Sequence, residues 1–151
     1  MIRKALQSEI DEFINSCLYD ENIYPYLSIS KYTPAIKQEE DDWKGVVLMD
    51  DSKNTLVKIS FDRTRGELEM TFSLYSRTKI GAGRGIKAIE EIVRRYKPRA
   101  INSCVHSTNE KSLKKNRHIF GKEWGVEEKI AWNSKLGAFD DLHYFRKVFQ
   151  N

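Results

Sequence analysis

Between residues 67 and 96 the chain alternates, turns on glycines, and then takes up a helical period. From Glu67 to Tyr75, Leu68, Met70, Phe72 and Leu74 share one side, and Glu67, Glu69, Thr71, Ser73 and Tyr75 the other. A period of two is the mark of a strand with one apolar face. Lys79-Ile80-Gly81-Ala82-Gly83-Arg84-Gly85 follows, and then Ile86, Ile89, Ile92, Val93 and Tyr96 recur at helical spacing until Pro98. A second strand is expected from Ala100 to His106. The helix is thus the crossover of a β-α-β unit, which makes the sheet partly parallel.

That order has a chemical consequence. The first-turn amides of a helix have no carbonyl partners and the helix dipole adds positive potential there, so the turn is suited to phosphate. Glycines let the ligand approach the backbone closely, and Arg84, Lys79 and Arg77 would add full charges. The Walker ending Gly-Lys-Ser/Thr is missing, and the dinucleotide pattern fails because Ile86 stands where its third glycine belongs.

The remaining chain reads as short elements. Ser8 is a candidate N-cap for a helix with Ile10, Phe13, Ile14, Cys17 and Leu18 on one face. An aromatic stretch from Ile23 to Ala35, with Tyr24, Pro25, Tyr26, Tyr32 and Pro34, fits a short helix or an ordered loop. Strands are expected at Gly45–Met49 and Thr55–Phe61, a helix from near Asn109 to about Trp124, and two late strands at Val126–Trp132 and Leu142–Phe149. The fold class is therefore mixed α/β, with a mostly antiparallel central sheet and one β-α-β crossover. With 151 residues and no linker or repeat, residues 1–151 are expected to form one domain.

Composition narrows the partners. Lys and Arg number 26 against 22 Asp and Glu, a net +4, which suits an anionic ligand, a nucleotide-bearing cofactor or loosely held RNA better than DNA coating. Cys17 and Cys104 show no pairing motif and read as reduced thiols. No ligand spacing suggests a metal site. The polar start Gln7-Ser8-Glu9 and the lack of a long apolar run point to a cytoplasmic protein with no membrane contact.

The block from Glu67 to Val126, with Arg84-Gly85 at one helix start and Asn109-Glu110-Lys111-Ser112 at the next, resembles the GNAT superfamily of N-acyltransferases. Helix one and Tyr24-Pro25-Tyr26 look like the substrate-side helices of its small phage-borne members. The resemblance implies acetyl-CoA as cofactor and an amine as acceptor. It implies that the strand before the loop, at Ser73, Leu74 and Tyr75, hydrogen-bonds the pantetheine arm, and that Lys79, Ile80, Gly81, Ala82, Gly83, Arg84 and Gly85 hold the pyrophosphate. It also implies a cofactor role for Asn109, Ser112 and Lys115, and a strand pair that splays to admit the ligand. Two departures stand out. Thr78 occupies the Arg/Gln position of the family's Arg/Gln-x-x-Gly-x-Gly/Ala pattern, and Asn116 stands where a tyrosine often protonates the leaving thiolate.

Direct acyl transfer needs a base for the amine and a proton donor for the thiolate. Glu69, on the polar face of the strand entering the loop, is the first base candidate and Glu67 the second. His106, at the end of the next strand, titrates near neutrality. Tyr144 and Tyr75 are candidate thiolate donors. Lys111, Lys114, Lys115 and Arg117 fit either a solvated helix face, the adenosine 3′-phosphate, or, with Arg94, Arg95, Lys97 and Arg99, RNA. No aromatics interleave with those charges, which ranks RNA lower. Two other readings stay open: a GNAT-like fold without catalysis serving as a binding or structural module, as in a phage particle, and an acetyltransferase toxin acting on charged tRNA. Either a monomer or a homodimer paired through the late strands fits the sequence.

Overall fold

The computed structural model describes residues 2–17, 36–64, 66–77 and 81–149, with the backbone alone for residues 81–84. The Tyr24–Tyr32 segment, Thr78, Lys79 and Ile80 lie outside the described residues. The elements run β1 (Ile2–Lys4), α1 (Gln7–Cys17), β2 (Gly45–Asp50), β3 (Thr55–Asp62), β4 (Glu69–Ser76), α2 (Gly81–Tyr96), β5 (Ala100–His106), α3 (Glu110–Phe120), β6 (Gly125–Asn133) and β7 (Ala138–Val148). The strands form one sheet in the order β1-β2-β3-β4-β5-β7-β6. Every pairing is antiparallel except β4 with β5, which α2 connects, so the expected mixed sheet with one crossover is observed.

Alternation along the strands divides the sheet into two faces. Val46, Leu48, Val57, Ile59, Met70, Phe72 and Ile101 pack with Ala88, Ile89 and Ile92 of α2. The opposite side of β2 and β3 offers Val47, Met49 and Leu56 to Ile10, Phe13, Ile14 and Cys17 of α1. Leu113 of α3 closes a smaller cluster over Val105 and Phe145 on the α2 side. Each cluster removes apolar area from water at about 25 cal/mol per Å². The helices therefore sit where the strand pattern demands apolar cover.

Several boundaries differ from the sequence expectation for local reasons. β1 was not anticipated, because three residues carry too little periodicity to read; it extends the sheet by pairing with β2. Helix α1 begins one residue before Ser8. Its cap is supplied by Glu9, whose carboxylate accepts the Leu6 N–H at 3.0 Å, the return half of a capping box. Helix α2 starts at Gly81, so the glycines form its first turn rather than a loop before it. Helix α3 stops at Phe120, short of Trp124, because Gly121 turns to φ 84° and donates its N–H to the Arg117 carbonyl at 2.9 Å. Strand β7 is paired on both sides, to β5 and β6, so of the two late strands only β6 leaves an edge open for a second copy.

Glu9 is also an electrostatic anchor. It receives Arg3 through both guanidinium nitrogens at 2.8 and 2.6 Å, with Lys53 at 3.5 Å. The Arg3 hydrogen bonds, then the Leu6 amide, pull its pKa down to about 2. A carboxyl depressed in the fold stabilises above its ordinary value and loses that contribution as pH falls towards 2. Glu9→Gln should therefore lower the Tm at pH 7 and leave it little changed near pH 2, a difference that thermal melts at the two pH values will show.

Candidate functional site

The two strands that carry the crossover part company. β4 pairs with β5 only through Glu69↔Ala100, Met70↔Ile101 and Thr71↔Asn102. On its other side β4 remains paired to β3 up to Ser76, while β5 follows β7 to His106↔Leu142. From Phe72 and Ser103 outward, one backbone edge of each strand lacks a strand partner among the described residues. Buried amides and carbonyls need partners, and an extended ligand with amide groups can supply them. The fork opens towards α2, and Ser73, Leu74 and Tyr75 lie on its β4 arm.

The first turn of α2 stands at the end of that arm. Leu74 packs beneath it, and a Cβ on Gly85 would meet Leu74 Cδ2 at 3.3 Å and Lys115 Nζ at 3.6 Å. Glycine here lets the α3 ammonium close on the helix start. Lys115 has no acidic partner among the described residues, and burial pushes its pKa down. A desolvated cation beside the first turn of a helix suits an anion.

Arg77, Arg95 and Arg117, three other cations of the sequence reading, are engaged elsewhere. Arg77 donates to Ser16 Oγ at 2.9 Å and the Lys53 carbonyl at 2.8 Å, over the Phe13 ring. It ties α1 to the sheet. Arg117 pairs with Glu123, and Arg95 with Glu91 and the Ile2 carbonyl. Asn109 caps α3, its Oδ1 accepting from the Ser112 N–H at 3.4 Å. Asn116 is buried and turns back to the Ser112 carbonyl at 2.7 Å, so it does not replace the missing tyrosine.

The two glutamates stand at the closed end of the fork. Glu69 is 7% exposed and accepts Arg146 Nη1 at 2.5 Å and Arg99 Nη1 at 3.4 Å. Glu67 is exposed and lies 3.7 Å from Arg99 Nε. Arg146 also reaches Asn102 Oδ1 at 3.0 Å, so the cluster pins β4, β5 and β7 where they still touch. Two guanidinium groups thus hold the Glu69 carboxylate at the vertex.

Beyond the fork's vertex, the face shared with α1 carries Cys104 and His106 of β5 and Tyr144 of β7, with Tyr75 across the gap on β4. Cys104 acts electrostatically on both tyrosines, and burial raises the pKa of the Cys104 thiol and of Tyr75. Tyr144 is pushed up to about 12 by burial and by Glu127, so its phenol stays protonated at physiological pH.

His106 ends in a buried polar cluster that no sequence spacing announced. Its Nδ1 is 3.3 Å from Asp140 Oδ2, and Asp140 also accepts from Thr108 Oγ1 at 2.5 Å, Ser107 Oγ at 2.7 Å and Asn133 Nδ2 at 3.4 Å. Those hydrogen bonds hold the carboxyl below its ordinary pKa despite burial. An ionised Asp140 can only accept, so the Nδ1 of His106 donates to it. Burial keeps the His106 pKa below its ordinary value although Asp140 opposes that shift. The imidazole is thus neutral at pH 7 with a fixed tautomer.

No family model matches the sequence, and no curated protein matches it. Solved structures do. A spermidine N-acetyltransferase from Vibrio cholerae, in complex with CoA and spermine, superposes with a TM-score of 0.72 at 17% identity over 98% of this chain and 94% of that one. A Salmonella typhimurium protein described as an acetyltransferase, with its cofactor acetyl-CoA, gives 0.64 at 14% identity over 100% and 94%. A GNAT-family acetyltransferase from Streptococcus pneumoniae gives 0.63 at 16% identity over 99% of each chain. A fork between parallel strands, a glycine-led helix at its mouth and agreement over nearly the whole length lead to one conclusion: this chain has the fold of the GNAT N-acetyltransferases.

Proposed function

We propose that the protein is an acetyl-CoA-dependent N-acyltransferase that moves an acetyl group to an amine by direct attack in a ternary complex. The observation that carries the reading is the fork, whose β4 edge, without a strand partner among the described residues, leads to the α2 N-terminus and the Lys115 ammonium. These parts fit the cofactor: an amide-bearing arm along Ser73–Tyr75, and a diphosphate on the amides at Gly81–Gly85 and on Lys115. When bound, acetyl-CoA supplies an acyl carbon already activated as a thioester.

The chain's own groups do the rest. His106 takes the proton that an ammonium must lose before it can attack, while Asp140 stabilises the imidazolium. Tyr144 keeps a proton available on the same face for the departing sulfur. Glu69 and Glu67 are assigned to holding the vertex together, not to proton transfer.

Millimolar acetyl-CoA should raise the Tm by about 5–10 °C if the dissociation constant is near 10 µM; no shift at that concentration overturns the reading. Lys115→Ala should weaken acetyl-CoA binding about tenfold to a hundredfold through loss of a charge-assisted contact, measured by calorimetric titration. A second reading, the fold retained without catalysis, is favoured by the inward turn of Asn116. It predicts cofactor stabilisation with no acetylated product from any of a panel of amines, and one product by mass spectrometry disposes of it.

A further inference from the structure

Helices α2 and α3 both run from the open end of the fork to its closed end, and a cavity of about 530 Å³ opens between them. Its floor is Ile89 and Ile101, both buried; Ile101 pairs with Met70, where β4 and β5 still touch. The cavity therefore lies over the paired part of these strands, not over the gap. Its walls are the half-buried Ile86 and Val93 of α2, Ile119 of α3 and Phe149 beyond β7. None of these six side chains carries a polar atom, and the volume falls in the range of roughly 300–1,000 Å³ usual for small-molecule sites. Along α2 the lining from Ile86 to Arg94 measures about 12 Å at the helical rise per residue.

Donors gather at one end of it. Arg94 in the last turn of α2, His118 in the last turn of α3 and Lys147 near the end of β7 are exposed lining residues. Lys147 stands opposite Ile101 in register and so shares its face. The cations next to two of them in sequence are neutralised, Arg95 by Glu91 and Arg117 by Glu123. Arg94, His118 and Lys147 enter no ion pair among the described residues. Glu90, one turn above Arg94, is the one acid of the lining and turns an anionic group towards the Arg94 end. The half-charge at each helix C-terminus opposes an anion there, and two full cations with an imidazole donor outweigh it.

We propose that this cavity binds a medium-chain fatty carboxylate, with the alkyl chain on the Ile89–Ile101 floor and the carboxylate between Arg94, His118 and Lys147. A length of about 12 Å takes roughly eight to ten carbons of extended chain, at about 1.3 Å of advance per bond. The inference stands on the cavity and holds whether or not the fork transfers an acyl group. No bond changes here: the apolar floor supplies affinity and the donors set the orientation.

Calorimetric titration of the full chain with hexanoate, octanoate and decanoate is the test. Affinity should rise about fourfold per added methylene, the yield of one buried CH₂, and decanoate should bind about tenfold or more tightly than decylammonium. Arg94→Gln and Lys147→Gln should each weaken decanoate about tenfold, and Glu90→Gln should tighten it. These three replace exposed side chains and should melt at the natural Tm. Val93→Trp fills the cavity from its α2 wall and should abolish binding; where that variant does not fold, the two cation variants decide. No heat at millimolar decanoate, an affinity independent of chain length, or equal binding of decylammonium overturns the proposal. Anionic phospholipid vesicles form a second arm. Sedimentation with vesicles by a chain that does not bind decanoate makes this end a membrane-facing surface and overturns the cavity site.

Discussion

His106→Gln is expected to lower kcat/KM about 10²–10⁴-fold, the usual contribution of a positioned general base, while the Tm shift produced by CoA is retained. The acid limb of the natural pH profile should lie below the ordinary imidazole value near 6.5, because burial outweighs the Asp140 charge in setting the pKa. Asp140→Asn tests the positioning role separately. Removing the anion withdraws what favours the imidazolium, so the limb should move to still lower pH as the rate falls. A purely structural Asp140 would lower the rate and leave the limb in place. Because Asp140 gathers Ser107, Thr108 and Asn133 as well as His106, a melt of each variant is needed alongside the kinetics.

Glu69→Gln should act on stability. It leaves Arg146 and Arg99 facing a neutral amide at the point where β4, β5 and β7 meet. The arginines are 29% and 37% exposed, so water recovers part of the loss; about 1–3 kcal/mol remains, or roughly 3–10 °C in Tm for a chain of this size. Activity per folded molecule should persist, measured below the melting range. Loss of turnover with an unchanged Tm would return Glu69 to the role of base. The carboxyl stands at the strand end where β4 and β5 still pair, and charge repulsion between the freed guanidinium groups would loosen that end first.

The contrast between these two residues explains how far the sequence could be read. Alternation from Leu68 to Leu74 places Met70, Phe72 and their neighbours on the core face, and glycines before Ile86 mark the helix start, because such signals are local and repeat along the chain. The same locality limits them. Glu69 carries a polar side chain on the less apolar face and so reads as a solvent-facing base; only the arrival of Arg146, 77 residues away, shows what holds it. His106 was legible as a titrating group at a strand end, but Asp140 is 34 positions on and became its partner through the β5–β7 register. Nothing in the order of residues sets Tyr144 beside Gly125, or brings Lys115 to Gly85.

The amino-acid order alone thus determined the element types, the apolar faces, the parallel crossover and the phosphate-suited helix start, since each is written in spacings of two to four residues. Tertiary structure decided where the strands separate, which acids are paired with arginines, and which carboxylate His106 meets. Those outcomes depend on register between distant strands, and the free energy that fixes register comes from burying whole faces together, a property that no short window of residues contains.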